Sequence, residues 1–263
     1  MVFGWGRGRR RRELLATPLA DAQRSRLHAL APLTARVPEG RRALHEGVVQ
    51  LLLAEKRFEG AGGFEVTDDM RLAIAGQAAL LQLRAGADYY PGLHSIVIYP
   101  TAFTVAHERP DESGLVHLDE DELSGESWGH GAVVLAWDDV RRESKRRDGY
   151  NVVLHEFAHK LDMLDGAVNG TPLLESQEQV EAWKNVMTRE YIQLSRSAAL
   201  GVPTVLSPYG ATNPGEFFAV ATEAFFERPA ELAAQHTELY DTLRGYYRQD
   251  PASWVNIAPQ RLV

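Results

Sequence analysis

His155-Glu156-Phe157-Ala158-His159 follows directly on the apolar run Val152-Val153-Leu154. Side chains four apart on an α-helix project from one face, so the two imidazoles lie close enough to share a metal ion. Neutral imidazole is a strong zinc ligand, and a helical i, i+4 pair fills two corners of a tetrahedron without bending the helix. Glu156, next to the first histidine, stands where a metal-dependent hydrolase needs its general base. The pattern predicts a helix from Asn151 to Asp165, stopped near Gly166, with Leu154, Ala158 and Leu161 toward the core. Asp162 falls beside the histidine face, able to accept a ring N–H from a ligand histidine. The bland reading is that two of nine histidines fell four apart by chance. The apolar flank opposes it, because it draws this turn partly into the interior.

A catalytic zinc site needs a third protein ligand and keeps a fourth position open. With no cysteine in the chain, every ligand must be nitrogen or oxygen. Asn213 reads as a helix cap with Pro214 in the first position, and that helix carries Glu216 and Glu223. The two glutamates are seven apart and share a face. Asn213 and Glu216 also have capping-box spacing, in which the glutamate would reach back to the cap N–H. A carboxylate in the first turn gains from the helix dipole. Spacing alone leaves both glutamates as candidates.

The 263 residues can bury a sizeable core, and 44% hydrophobic with 24% charged residues is ordinary for a globular protein. A net charge of −8 argues against direct nucleic-acid binding. The absence of cysteine fits a cytoplasmic protein. Arg7 and Arg9 to Arg12 are followed by Glu13, with no apolar stretch suited to a secretory signal or a membrane span. Residues 1–20 are therefore expected to be a flexible, solvated basic tail.

Residues 21–263 are expected to form a single domain, with a helical layer over about 21–90 and a catalytic region over about 91–263. Helices are predicted from Asp21 to Leu30, Gly40 to Arg57 and Thr67 to Leu83, the last capped at Thr67. His94–Tyr99 and Gly131–Trp137 read as strands, with a polar hairpin or loop from Glu108 to Glu126 between them. Another helix is predicted from Glu178 to Arg196. The strand Val133–Trp137 could take an extended peptide along its edge or serve only packing. Trp128 and Trp137 could line a side-chain pocket or belong to the core.

Four stretches together resemble the Mlc titration factor A family of glucose-regulated zinc metallopeptidases. They are Leu123-Ser124-Gly125-Glu126-Ser127-Trp128, Val133–Trp137, His155–Asp162 with Asp165-Gly166, and Tyr209–Pro214 running into Glu216-Phe217-Phe218. The last also resembles the catalytic domain of anthrax lethal factor. The resemblance implies that Glu216, seven residues after Tyr209, is the third zinc ligand, with Glu223 behind it. It implies that the Tyr209 phenol hydrogen-bonds the oxyanion of the tetrahedral intermediate, a role that suits amide hydrolysis. It further implies a histidine ahead of the catalytic helix that closes on the metal and blocks substrate; His117 is nearest by spacing, ahead of His107 and His130. A cytoplasmic peptidase that removes small N-terminal residues, and an interaction with a sugar-responsive transcriptional repressor, are implied as well.

The expectation is an α+β, zincin-like metallopeptidase, mostly helical, with a small mixed sheet beside the active-site helix. One Zn2+ per chain would be held by His155, His159 and Glu216, with Glu156 and Tyr209 catalytic and Asp162 and Glu223 in support. A repressor-binding protein whose zinc is structural or vestigial is the alternative, but it gives Glu156 no purpose.

Overall fold

The computed structural model describes residues 3–84, 87–101, 104–110, 116–122 and 131–254, with backbone alone for 3–7, 104–110 and 116–122. Helices α1 (Phe3–Leu15), α2 (Asp21–Leu30) and α3 (Glu39–Glu55) open the chain. The first of these corrects the expected tail. Arg11 binds both carboxylate oxygens of Glu55, each at 2.7 Å, and Asp88 at 3.0 Å. Leu14 and Leu15 pack against the core. A Cβ on Gly47 would lie 2.1 Å from the Leu15 carbonyl oxygen, so α3 needs glycine there to let α1 approach. Acidic partners and apolar contacts thus offset repulsion along the arginine run.

α3 stops at Glu55, short of Arg57, because Lys56 turns into extended backbone. The buried Lys56 ammonium donates to the carbonyls of Tyr90 and Leu93 at 2.8 and 3.0 Å. Arg57 then begins a strand that the helical pattern had concealed, β1 (Arg57–Gly60). Next comes α4 (Asp68–Leu80), capped as expected by the Thr67 hydroxyl, which accepts the Met70 N–H at 3.3 Å.

Four strands follow: β2 (Ser95–Tyr99), β3 (Thr104–Pro110), β4 (Val116–Glu122) and β5 (Ala132–Ala136). The chain is α+β, but its sheet is not mixed. Strands β1, β2 and β5 pair in that order, all parallel, while β3 and β4 form a separate antiparallel hairpin. A parallel pair needs a long crossover, and α4 lies in the one between β1 and β2. The hairpin lies in the one between β2 and β5. Ile96, Ile98, Val133 and Leu135 alternate into the core. Trp137 opens α5 (Trp137–Glu143) rather than ending the strand.

The catalytic-type motif lies on α6 (Val152–Asp162), which passes into a 3-10 turn and ends at Gly166 with φ 95. Leu154, Ala158 and Leu161 are buried as expected, and Phe157 sets its edge against Tyr90, ring centroids 4.8 Å apart. Four helices complete the fold: α7 (Gln177–Ala199), α8 (Pro214–Glu227), α9 (Pro229–Gln235) and α10 (Thr237–Tyr247). α8 is buried from Gly215 to Glu227 and packs directly on α6. The loop after α6 crosses the start of α8 at Gly170, where φ is 75 and a Cβ would lie 2.3 Å from the Pro214 carbonyl oxygen. Only glycine fits there. Among the described residues no helix is long and apolar enough to cross a membrane.

Candidate metal centre

His155 and His159 project from α6 toward the first turn of α8, where they meet Glu216. His155 Nε2 lies 3.1 Å from His159 Nε2 and 2.9 Å from Glu216 Oε2, and His159 Nε2 lies 3.5 Å from that same oxygen. Zinc bonds of about 2.0–2.2 Å at tetrahedral angles place neighbouring donors about 3.3–3.5 Å apart. The three separations span that value, so the donor set fits a metal of this size. All three residues are buried, and among the described residues no other group of this kind converges.

Local sequence explains the convergence. The Asn213 side chain accepts the Glu216 N–H at 3.0 Å and starts α8 where Glu216 faces α6. The half of a capping box that would engage the glutamate's own carboxylate is replaced by contact with the two histidines. Burial opposes ionisation of Glu216, but His155 and His159 outweigh it and hold the pKa down at about 2. The carboxylate is therefore a ready anionic ligand.

Glu223, two turns further along α8, supports the site from behind. Its Oε2 lies 3.2 Å from His155 Nδ1, and its Oε1 accepts the Asn151 N–H at 2.7 Å. Burial disfavours charge on His155, yet Glu223 and Glu216 together keep its pKa well above that of an ordinary histidine. A metal would take the place of the proton on Nε2, leaving Nδ1–H on Glu223 to fix the tautomer. His159 is neutral, its pKa lowered to about 4 chiefly by burial.

Glu156 is 2% exposed and adjoins His155 on the same helix. Tyr209 lies across the site, its ring centroid 5.9 Å from that of His155. It is 47% exposed. Its 3-10 turn, Pro208–Ala211, presses Gly210 against Leu194 and Val220, where even a Cβ would be crowded.

Asp162 differs from expectation. Its Oδ2 accepts the Gly170 N–H at 2.8 Å rather than a ring N–H, and it anchors the loop that crosses α8. Burial raises its pKa to about 6, with the loop amides opposing. His117 falls on β4 opposite Arg109, and His107 on β3 opposite Asp119; their side chains lie outside the described residues. His130, Trp128 and the rest of the Leu123–His130 run lie outside them altogether. Trp137 is partly buried against the core.

Three residues of this region were not foreseen. Asn151 caps α6 through its Oδ1, 3.1 Å from the Leu154 nitrogen, and its Nδ2 donates to Gln77 at 2.8 Å and to Glu227 at 3.0 Å. An asparagine directly before an apolar helical run was the available signal. Glu227 also had one, since it follows Glu223 by four. Gln77 had none.

Nitrogen and oxygen donors gathered between two packed helices are what a metal-dependent hydrolase requires, and comparison with known proteins leads to the same class. The chain belongs to the family described as glucose-regulated metallo-peptidase M90, whose model matches residues 5–248. It is 36% identical to Mlc titration factor A of Yersinia pestis and to that of Yersinia pseudotuberculosis, over 84% of this chain and 81% of theirs. A Synechocystis protein, the uncharacterized slr2042, is 41% identical over 92% of this chain and 89% of its own length.

Proposed function

We propose that this protein is a zinc-dependent peptidase of zincin-like fold and gluzincin type, acting on peptides in the cytoplasm as an aminopeptidase. The observation that carries the reading is the mutual approach of His155 Nε2, His159 Nε2 and Glu216 Oε2. Zinc held there would polarise the scissile carbonyl and make a water acidic enough, with pKa about 7, to attack at neutral pH. Glu156 would act as the general base that takes a proton from the attacking water and, as acid, returns it to the departing amine. Tyr209 donates its phenolic proton in a hydrogen bond to the carbonyl oxygen as negative charge develops. Glu223 holds the His155 ring in the ligating tautomer. β5, at the edge of the parallel sheet among the described residues, offers backbone groups to an extended substrate. Among the described residues, the buried cluster from Leu19 to Trp254, with Leu14 and Leu15 packed against it, supports one catalytic domain that takes in α1 as well.

The name of the Yersinia relatives, Mlc titration factor A, favours a second activity: binding of a sugar-responsive transcriptional repressor. In its strongest form that reading makes the zinc structural or vestigial. The two separate on Glu156→Gln. The peptidase reading expects one zinc per chain in this variant and a fall in peptide hydrolysis of about 10²-fold or more. Hydrolysis equal to wild type would remove Glu156 as the base.

A further inference from the structure

Helices α7 and α10 leave a cavity of about 290 Å3 between them, and none of its lining residues belongs to the metal centre. That is at the small end of ligand sites. Leu174, Val186, Trp183 and Tyr246 give it apolar walls, and Leu173, 54% exposed, stands among its lining residues. The Trp183 ring is held before anything binds. Its indole N–H donates to the Gly170 carbonyl at 2.8 Å, and it stands edge-on to Tyr246 and Phe218 at centroid distances of 5.4 and 5.6 Å. A fixed aromatic wall reduces the ordering cost of binding.

The lining carries two arginines, Arg84 and Arg248, and two carboxylates, Glu175 and Asp241. Both lining carboxylates are engaged, Glu175 by Arg248 at 2.5 Å and Asp241 by Arg244 at 2.9 Å. Arg84 is different. Its guanidinium carbon lies 5.4 Å from the centroid of the Tyr246 ring, and no carboxylate among the described residues is within ion-pair distance of it. Because Arg244, outside the lining, takes Asp241 and Arg248 takes Glu175, Arg84 is the lining guanidinium with no carboxylate partner among the described residues; set against an apolar wall, it suits an anion carried on a hydrocarbon body.

We propose that this cavity binds a small apolar monocarboxylate, its hydrocarbon part against Trp183 and Val186 and its carboxylate on Arg84. The site is independent of the metal and of peptide hydrolysis, so it stands or falls separately from the peptidase reading.

The test is calorimetric titration of the full-length protein with phenylacetate, using phenylacetamide as the uncharged control. Saturable one-site binding of the acid is expected, weakened about tenfold or more for the amide and in Arg84→Gln. A second variant, Gly245→Leu, fills the cavity from α10. A Cβ there meets nothing within 4 Å, and leucine is the better helix former, so this variant keeps its fold. It is expected to abolish binding while leaving zinc content unchanged. The proposal is overturned by the absence of saturable binding up to about 10 mM phenylacetate. It is equally overturned if the amide, Arg84→Gln or Gly245→Leu binds as well as the acid binds to wild type.

Discussion

His155 meets a carboxylate at each of its ring nitrogens, Glu216 at Nε2 and Glu223 at Nδ1. The two glutamates are alike in chemistry and share a helix face, yet they have different tasks. Glu216 lies on the side that His159 also reaches, so its oxygen can share a metal with both rings. Glu223 lies behind His155 and spends its other oxygen on the Asn151 amide. Tyr209 can be tested separately, because it comes from the 3-10 turn Pro208–Ala211 rather than from α6 or α8. Tyr209→Phe keeps the ring and removes only the hydroxyl. It is expected to lower kcat by about 10²-fold with KM and zinc content little changed, the usual effect of losing one oxyanion donor. An unaltered kcat would show that the phenol takes no part in the reaction.

At the scale of elements, α6 and α8 are joined by a buried polar seam that runs past the metal ligands. Asn151 ties the start of α6 to Glu223 and Glu227 on α8 and to Gln77 on α4. Burial raises the Glu227 pKa to about 7, with the Asn151 amide opposing. An unfolded glutamate titrates near about 4.3, so between these values the folded chain keeps a proton that the unfolded chain has lost. Stability must then fall as pH rises through this window, and the cost is complete above about pH 7. Glu227→Gln removes it. Denaturation is expected to show the variant more stable by about 1–3 kcal/mol at pH 8, with the gain disappearing toward pH 4. A difference independent of pH would rule out this titration. The seam also marks how far the sequence could be read. α6, its end at Gly166 and the Asn213 cap were legible because helical periodicity and capping are local. β1 was not, since Arg57-Phe58-Glu59-Gly60 is too short and too polar to show a strand pattern by itself and becomes a strand only by pairing with β2. Gln77 reaches Asn151 from 74 residues away, and no spacing rule covers such a contact.

Among the described residues, one apolar cluster joins the amino-terminal helices to those that carry the candidate metal ligands. α1 is the clearest case of tertiary context overriding local charge. Its arginine run reads as a solvated tail until Glu55 and Asp88 are brought beside Arg11. The Arg11 and Glu55 side chains are each about four-fifths buried, so Arg11→Ala is expected to cost about 1 kcal/mol in denaturation experiments, more than a fully exposed pair would. No change in stability would show that α1 is held by its leucines alone. The central claim concerns the metal, and its most direct test is bound zinc per chain measured by elemental analysis in wild type, Glu216→Ala and Glu223→Ala. One zinc is predicted in wild type and none retained at matched free zinc in Glu216→Ala, with Glu223→Ala still able to bind, about 10–100-fold more weakly. Full zinc occupancy in Glu216→Ala together with loss in Glu223→Ala would contradict the assignment.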